Sequence, residues 1–101
     1  MLRKDNWIRE ASWYSSSGKG KIYLRWYTIS DASGYQIRYC KKKSMKSGVK
    51  VMTVKGQRKY KKTISKLSRR KRYYVQVRAY KKSGKKTVYG KWSQKYMLKT
   101  K

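Results

Sequence analysis

The sequence predicts an all-β protein, a single sandwich of seven short antiparallel strands that spans residues 1–101 and has its core between about residues 8 and 100. Three observations predict this fold class. Apolar and polar residues alternate with a period of two in several short stretches, as in half-buried strands. β-branched and aromatic residues dominate these stretches, and helical spacing is sustained nowhere. Glycines separate the stretches, and proline is absent.

The strands can be placed in order along the chain. The alternating stretches are residues 22–27, 35–40, 49–54, 73–80 and 96–98. The first strand has the weakest pattern and is predicted within residues 7–14. The pairs Ser47 with Gly48 and Ser83 with Gly84 stand between strand patterns, where glycine can supply the positive φ of a hairpin turn.

The composition restricts how this sandwich can be built. Lys and Arg number 31 against 3 Asp and Glu, so the formal net charge is +28, and only 15 of the 101 residues are Leu, Ile, Val or Phe. That balance alone is typical of disordered chains. Eleven Tyr and four Trp oppose it, because each can bury a large area. A small core built on aromatic side chains is therefore expected.

The same composition argues against catalysis. Histidine is absent, so no imidazole base or metal ligand is available. The only carboxylate side chains are Asp5, Glu10 and Asp31, and Cys40 is the single cysteine. We therefore expect a protein that is not an enzyme and uses no metal or cofactor. No apolar run reaches the length of a membrane span, and residues 1–6 contain no apolar signal-peptide core.

The phase of the alternation separates core from surface. Trp26 is in phase with Ile22 and Leu24, which predicts that it packs in the core. Arg38 and Arg78 are out of phase with the core residues of their strands, so both should face outward on one sheet, with Trp92 beside them. Guanidinium groups over this indole would form a cation–π face; simple solvation of the two arginines is the alternative. Cys40 is predicted to face outward by the same phase.

Four segments resemble a known family in their order and spacing. They are KIYLRW at residues 21–26, GYQIRY at 34–39, LSRRKRYYVQVRA at 67–79 and GKWS at 90–93. Together they resemble a fibronectin type III domain, an immunoglobulin-like β-sandwich, over roughly residues 8–100. The lysine-rich, proline-free composition is most similar to that of modules of bacterial, especially Gram-positive, surface proteins. The prolines common in the family are missing, and Arg69 stands where one often falls.

The resemblance implies structural roles for particular residues. Trp26 would lie between the sheets, and Leu67 would close the core beneath the corner that leads into strand six. The hydroxyl of Tyr73 would bond the backbone a few residues upstream. The alternating Val75 and Val77 would complete the core. No Arg-Gly-Asp sequence occurs, so integrin binding of the animal type is not implied.

The basic residues near strand ends are candidates for binding polyanions. A net charge of about 2–8 is enough to keep a small domain soluble, so +28 is more than solubility needs. A field of this strength attracts polyanions at low ionic strength. Tyrosines interleaved with the basic residues, predicted to be exposed, could stack on bases or sugars; they are Tyr60, Tyr74, Tyr80 and Tyr89. The candidate polyanion-binding residues are Lys41, Lys42, Lys43, Arg69, Arg70, Lys71, Arg72, Lys81, Lys82, Lys85 and Lys86.

Two functions fit these observations. The first is a non-catalytic spacer or adhesion module of a bacterial surface or secreted protein, whose partners are anionic wall polymer, glycan or other domains of the same longer chain. The second is a small, basic, intracellular protein that binds nucleic acid without sequence specificity, which applies if the chain stands alone in the cytoplasm. No sequence-reading motif such as a helix-turn-helix or zinc finger is present.

Overall fold

A computed structural model describes residues 13–29, 32–93 and 95–101, which form eight β-strands. Their bounds are β1 Trp13–Gly18, β2 Lys21–Trp26, β3 Gly34–Cys40, β4 Lys50–Lys55, β5 Lys61–Ile64, β6 Arg72–Ser83, β7 Lys86–Tyr89 and β8 Tyr96–Lys99. The first sheet has the order β1-β2-β5. The second has the order β4-β3-β6-β7, and β8 also pairs with β6. All of these pairings are antiparallel, which confirms the predicted all-β sandwich.

Eight strands replace the predicted seven because one edge of the second sheet is occupied by two short strands in succession. β7 pairs with residues 80–83 of β6, and β8 pairs with residues 72–75 of the same strand. Between them, the amide N–H groups of Gly90 and Ser93 still donate to the carbonyls of Ala79 and Val77, at 2.8 and 2.9 Å. The edge therefore continues to follow β6 although regular pairing is interrupted.

Three strands differ from the sequence prediction. β5 and β7 lie outside the alternating stretches, because each has only four residues and at most one of them is buried; Lys or Thr occupies three positions of β5 and two of β7. Such short, lysine-bearing strands are typical of exposed sheet edges. β1 extends to Gly18, past the predicted residues 7–14, and residues 7–12 of that prediction lie outside the described residues.

The core lies between the two sheets and is built from the in-phase residues. β2 contributes alternate side chains with the pattern exposed-buried along its whole length. Tyr35 and Ile37 face it from β3, and Leu67 packs against it half-buried from the connection before β6. The buried cluster consists of Ile22, Leu24, Trp26, Ala32, Tyr35, Ile37, Ile64, Tyr73, Val75, Val77 and Ala79. Aromatic rings thus replace much of the aliphatic volume that the composition lacks.

Two predictions about exposure were wrong. Cys40 is buried rather than outward, because the chain after β3 turns back over it and its thiol donates to the carbonyl of Lys42 at 3.0 Å. Tyr80 is also buried rather than exposed. Its ring packs over Gly34 on the neighbouring strand, where an added Cβ would lie 2.6 Å from the tyrosine hydroxyl. Period two assigns a side chain to a face, but it does not report what covers that face.

The other predicted surface tyrosines are accessible to different degrees. Tyr60 and Tyr89 are exposed, whereas Tyr74 is half-buried. No helix with the length and hydropathy of a membrane span occurs in the described part of the chain.

Candidate functional site

The outer face of the second sheet carries two arginine–glutamine pairs. Arg38 lies directly opposite Gln76 across the β3–β6 pairing, and Gln36 lies opposite Arg78. Nε of Arg38 donates to Oε1 of Gln76 at 2.8 Å. Nε and Nη2 of Arg78 both donate to Oε1 of Gln36, at 3.0 and 2.7 Å. The register therefore holds two guanidinium groups in fixed positions on one face.

Aromatic rings cover these two guanidinium groups. The central carbons of Arg38 and Arg78 lie 4.4 and 4.2 Å from the centroid of the Trp92 ring. Arg78 also lies 3.8 Å from the ring of Tyr89. Each such cation–π contact contributes roughly 0.5–2 kcal/mol, depending on desolvation. The structure thus brings Arg38, Arg78 and Trp92 together, and it adds Tyr89, which sequence reasoning had not included in this set.

Trp92 is held in place by its neighbour Ser93. The buried Ser93 hydroxyl accepts from the N–H of Val77 at 3.0 Å, and the Ser93 carbonyl accepts from Nε2 of Gln76 at 2.7 Å. Because Gln76 also accepts from Arg38, one glutamine links the arginine to the chain segment that carries the tryptophan. The cation–π face therefore anchors the irregular edge between β7 and β8 onto β6.

The electrostatics of this face follow from its packing. Burial lowers the pKa of Arg78 below its ordinary value, the Tyr89 hydroxyl opposes this by raising it, and Arg38 lowers it again as a like charge. Arginine nevertheless stays charged in proteins. The arrangement therefore holds two cations side by side between glutamine and aromatic partners, which suits a structural or binding role.

A second organised region is the corner before β6. The Tyr73 hydroxyl accepts a hydrogen bond from the N–H of Ser68 at 2.9 Å. The Thr100 hydroxyl donates to the Ser68 carbonyl at 2.6 Å and accepts from the N–H of Lys71 at 3.1 Å. The connection between β5 and β6 is therefore fixed both by a core tyrosine and by the residue that follows β8.

Replacing Tyr73 by Phe should destabilise the domain by roughly 0.5–1.5 kcal/mol without unfolding it, because one net hydrogen bond is lost while the ring remains. Urea denaturation followed by circular dichroism measures the difference. An unchanged midpoint with an unchanged m-value would contradict the role of this hydroxyl. Tyr27→Phe, at a tyrosine that is 74% exposed, is the matched control and should leave the midpoint unchanged.

A second tyrosine hydroxyl that bonds the backbone of a connection was not predicted from the sequence. The hydroxyl of the fully buried Tyr35 accepts from the N–H of Ile29 at 2.7 Å and donates to the carbonyl of Gln57 at 2.8 Å. Burial raises the pKa of Tyr35 above its ordinary value, and the hydrogen bond from Ile29 partly offsets this. Burial, with a smaller contribution from Tyr73, likewise raises the pKa of Tyr39. Both tyrosines therefore contribute to packing as neutral groups at physiological pH.

The candidate polyanion-binding residues fall into two groups at opposite ends of β6. The corner cluster combines two chain segments, because the end of β3 pairs with the start of β6. It consists of Lys41, Lys42, Lys43, Arg69, Arg70, Lys71 and Arg72, all exposed. The hairpin cluster lies around the β6–β7 turn and consists of Lys81, Lys82, Lys85 and Lys86. Residues 73–80 of β6 lie between Arg72 and Lys81, which separates the clusters by roughly 30 Å at the usual rise per residue.

Sequence reasoning missed two exposed tyrosines on the other sheet. Tyr23 is 41% exposed on β2, and Tyr27 follows the same strand. The exposed positions of β2 also include Lys21 and Arg25, so aromatic and basic side chains share this outer face. Their out-of-phase positions beside Ile22, Leu24 and Trp26 were the signal that could have identified them.

Nothing in the described residues resembles a catalytic or metal centre. No group of three His, Cys, Asp or Glu side chains comes together in residues 13–29, 32–93 and 95–101. The three Asp and Glu residues of the sequence all fall outside these ranges. A tyrosine corner and a tryptophan between two antiparallel sheets are features of the immunoglobulin-like β-sandwich class.

Comparison with known proteins identifies the family. Residues 11–95 match the fibronectin type III domain, so the chain belongs to the fibronectin type III family. Domains of this family are generally non-enzymatic structural or interaction modules, they mediate protein–protein interactions, and they occur in extracellular or surface proteins. No curated protein shows a significant match to the sequence.

Solved structures share the fold. The fn3 domain of human contactin 1 superimposes with a TM-score of 0.74 at 20% identity, covering 88% of this chain and 73% of that one. The FN1–FN3 domains of chicken CNTN1 give 0.73 at 22% identity over 87% of this chain, which spans only 28% of that longer one. An Fn3-like protein from Clostridium thermocellum gives 0.67 at 14% identity, covering 94% and 92% of the two chains. At these identities the likeness establishes the fold.

Proposed function

We propose that this domain is a spacer or adhesion module of a bacterial surface or secreted protein, and that its basic surface binds anionic wall polymer or acidic glycan. The observation that carries the proposal is the pair of exposed basic clusters on a sandwich with no Asp or Glu in its described residues. With 31 Lys and Arg against 3 Asp and Glu in the sequence, most of these cations lack an intramolecular counter-charge, so dissolved or polymeric anions must supply it. The similar Fn3-like protein from Clostridium thermocellum adds support for a bacterial setting.

The spacing of the clusters favours an extended ligand. A polymer that contacts both the corner cluster and the hairpin cluster must span the length of β6 between them. Linear polyanions meet this requirement, and binding at two ends releases more counterions than binding at one. Phosphate or sulfate contacts of this kind position a polymer without reading its sequence.

Neutralising either cluster should weaken binding to every polyanion by a similar factor. One variant carries Arg69, Arg70, Lys71 and Arg72 as Gln, and the matched variant carries Lys81, Lys82, Lys85 and Lys86 as Gln. Each removes four positive charges, so each should reduce the slope of log K against log salt by up to about four, one for each anionic group that the variant no longer neutralises. Titration of heparin, purified anionic wall polymer and DNA onto both variants measures the effect.

Two outcomes would contradict the proposal. Loss of binding in only one variant would indicate a single local site instead of a distributed surface. If the variants lost affinity for DNA but kept their affinity for heparin and wall polymer, the second candidate function, binding of nucleic acid without sequence specificity, would be favoured. One observation supports that candidate. Tyr23 and Tyr27 are exposed, and the exposed basic residues beside them are Lys21 and Arg25. Bases stack on exposed aromatic rings beside cations.

A further inference from the structure

A cavity of about 420 Å³ opens beside the corner cluster. It lies between the end of β3, the connection of residues 41–49 and the connection of residues 65–71. Tyr39, Tyr73 and Leu67 supply its apolar lining, and the two tyrosine rings are tilted at 57° with centroids 6.5 Å apart. Its volume falls within the usual range for small-molecule sites.

Four lysines line this cavity, namely Lys41, Lys42, Lys50 and Lys66. Serine hydroxyls position two of their ammonium groups. Nζ of Lys41 donates to Oγ of Ser68 at 3.1 Å, and Nζ of Lys42 donates to Oγ of Ser47 at 3.1 Å. An ammonium group has three donors, so each lysine retains hydrogen-bonding capacity for an anion. The two serines also line the cavity, from different connections.

The backbone of Lys66 is held in an unfavourable conformation. Its φ is 59°, in the left-handed region that residues with a Cβ rarely adopt. Glycine would take this conformation without strain. Arg70, with φ 57°, has the same conformation on the same connection, but it does not line the cavity. Lys66 therefore lines the cavity from a backbone conformation that costs energy for a residue with a Cβ.

We propose that this cavity binds one acidic sugar unit, with its sulfate, phosphate or carboxylate group among the lysines and its ring against the half-buried Tyr39. Aromatic rings suit the apolar face of a sugar, and ammonium groups form charge-assisted hydrogen bonds to an oxyanion. This inference takes its ligand class from the proposed binding of anionic glycan or wall polymer. It adds a defined subsite to a surface that otherwise attracts polyanions through charge alone.

Four probes with one ring test the proposal: glucose, glucuronate, glucose 6-sulfate and glucose 6-phosphate. They are titrated onto the 101-residue chain at physiological salt and followed by amide chemical shifts. We expect the charged sugars to shift the signals of cavity residues such as Lys41, Lys66 and Ser68, and glucose to shift none. Binding of inorganic sulfate or phosphate as tight as that of the matching sugar would overturn the role of the Tyr39 ring.

Lys66→Gly and Arg70→Gly form a matched pair for the site itself. Each removes one charge and relieves the same backbone strain, so neither should lower the melting temperature. Lys66→Gly should weaken binding of the charged sugars by about ten- to a hundredfold, the effect of one hydrogen bond to a charged group. Arg70→Gly should weaken it by less than about twofold on the same scale. Asn also tolerates a left-handed φ, so Lys66→Asn and Arg70→Asn repeat the test if a glycine variant fails to fold.

The possible outcomes separate this proposal from the preceding one. Lys66→Gly should weaken heparin binding more than Arg70→Gly, because the two variants lose the same charge but only Lys66 lines the cavity. Equal loss of sugar binding in both variants, or charged sugars that shift no cavity residue, would overturn the subsite and leave polymer binding standing. Loss of heparin and wall-polymer binding in the unmodified chain, with sugar binding in the cavity retained, would overturn the preceding proposal alone.

Discussion

The affinity of this domain for heparin and for duplex DNA should fall by about 10³- to 10⁵-fold between 50 and 200 mM salt. That range corresponds to about six to ten phosphate or sulfate contacts, each of which releases condensed counterions. The corner and hairpin clusters together offer enough basic side chains for such a number. Titrations over a salt series, plotted as log K against log salt, should give a straight line whose slope reports the number of contacts.

Scrambled DNA sequences provide the control for this prediction. If the attraction arises from charge, all duplexes of one length should bind equally and lose affinity together as salt rises. Tight binding of one sequence that persists at physiological salt would contradict the charge-based account and favour a nucleic-acid-binding function. Failure to bind any polyanion at low salt would contradict both functional proposals.

Replacing Trp26 by Ala should destabilise the domain by about 3–5 kcal/mol, the usual cost of removing a buried tryptophan. Trp26 is only 4% exposed, and its ring centroid lies 5.4 Å from that of Tyr35. Its indole N–H also donates to the carbonyl of Lys59 at 3.0 Å, so the substitution leaves that carbonyl without its donor. Since small domains are stable by only about 5–15 kcal/mol, most of the folding free energy would be lost.

Trp92→Ala is the matched control, because it makes the same change at a half-buried ring on the cation–π face. We expect it to cost roughly 1–4 kcal/mol, given two contacts to guanidinium groups at about 0.5–2 kcal/mol each. Urea denaturation followed by far-ultraviolet circular dichroism compares the two variants, since this signal does not depend on tryptophan fluorescence. A larger loss in Trp92→Ala than in Trp26→Ala would show that the edge, and not the core, dominates stability.

Period-two alternation was enough to predict the all-β fold and the inward face of the central strands. It works because one face of a strand in this sandwich meets apolar side chains and the other meets water. Ile22, Leu24 and Trp26 follow this rule without exception on β2. The rule fails for β5 and β7, where a four-residue edge strand has too few buried positions to produce a pattern.

The outward faces were harder to predict, because their environment depends on neighbours distant in sequence. The phase of Arg38 and Arg78 already assigned them to one face of one sheet. Their partners Gln76 and Gln36 follow from cross-strand register, which the sequence does not report. Cys40 was predicted to face outward, and nothing in its strand indicated that the following connection would cover it.

The sequence by itself determined the fold class, the strong positive charge, the absence of histidine and the resemblance that the family match later supported. These are properties of local periodicity and composition, and neither depends on which segments meet. The tertiary structure alone decided that residues 41–49 and 65–71 border an open, lysine-lined cavity and that the candidate polyanion-binding residues lie at two ends of β6. Both features require contacts between segments far apart in the chain, and these contacts form only when the two sheets close over their core.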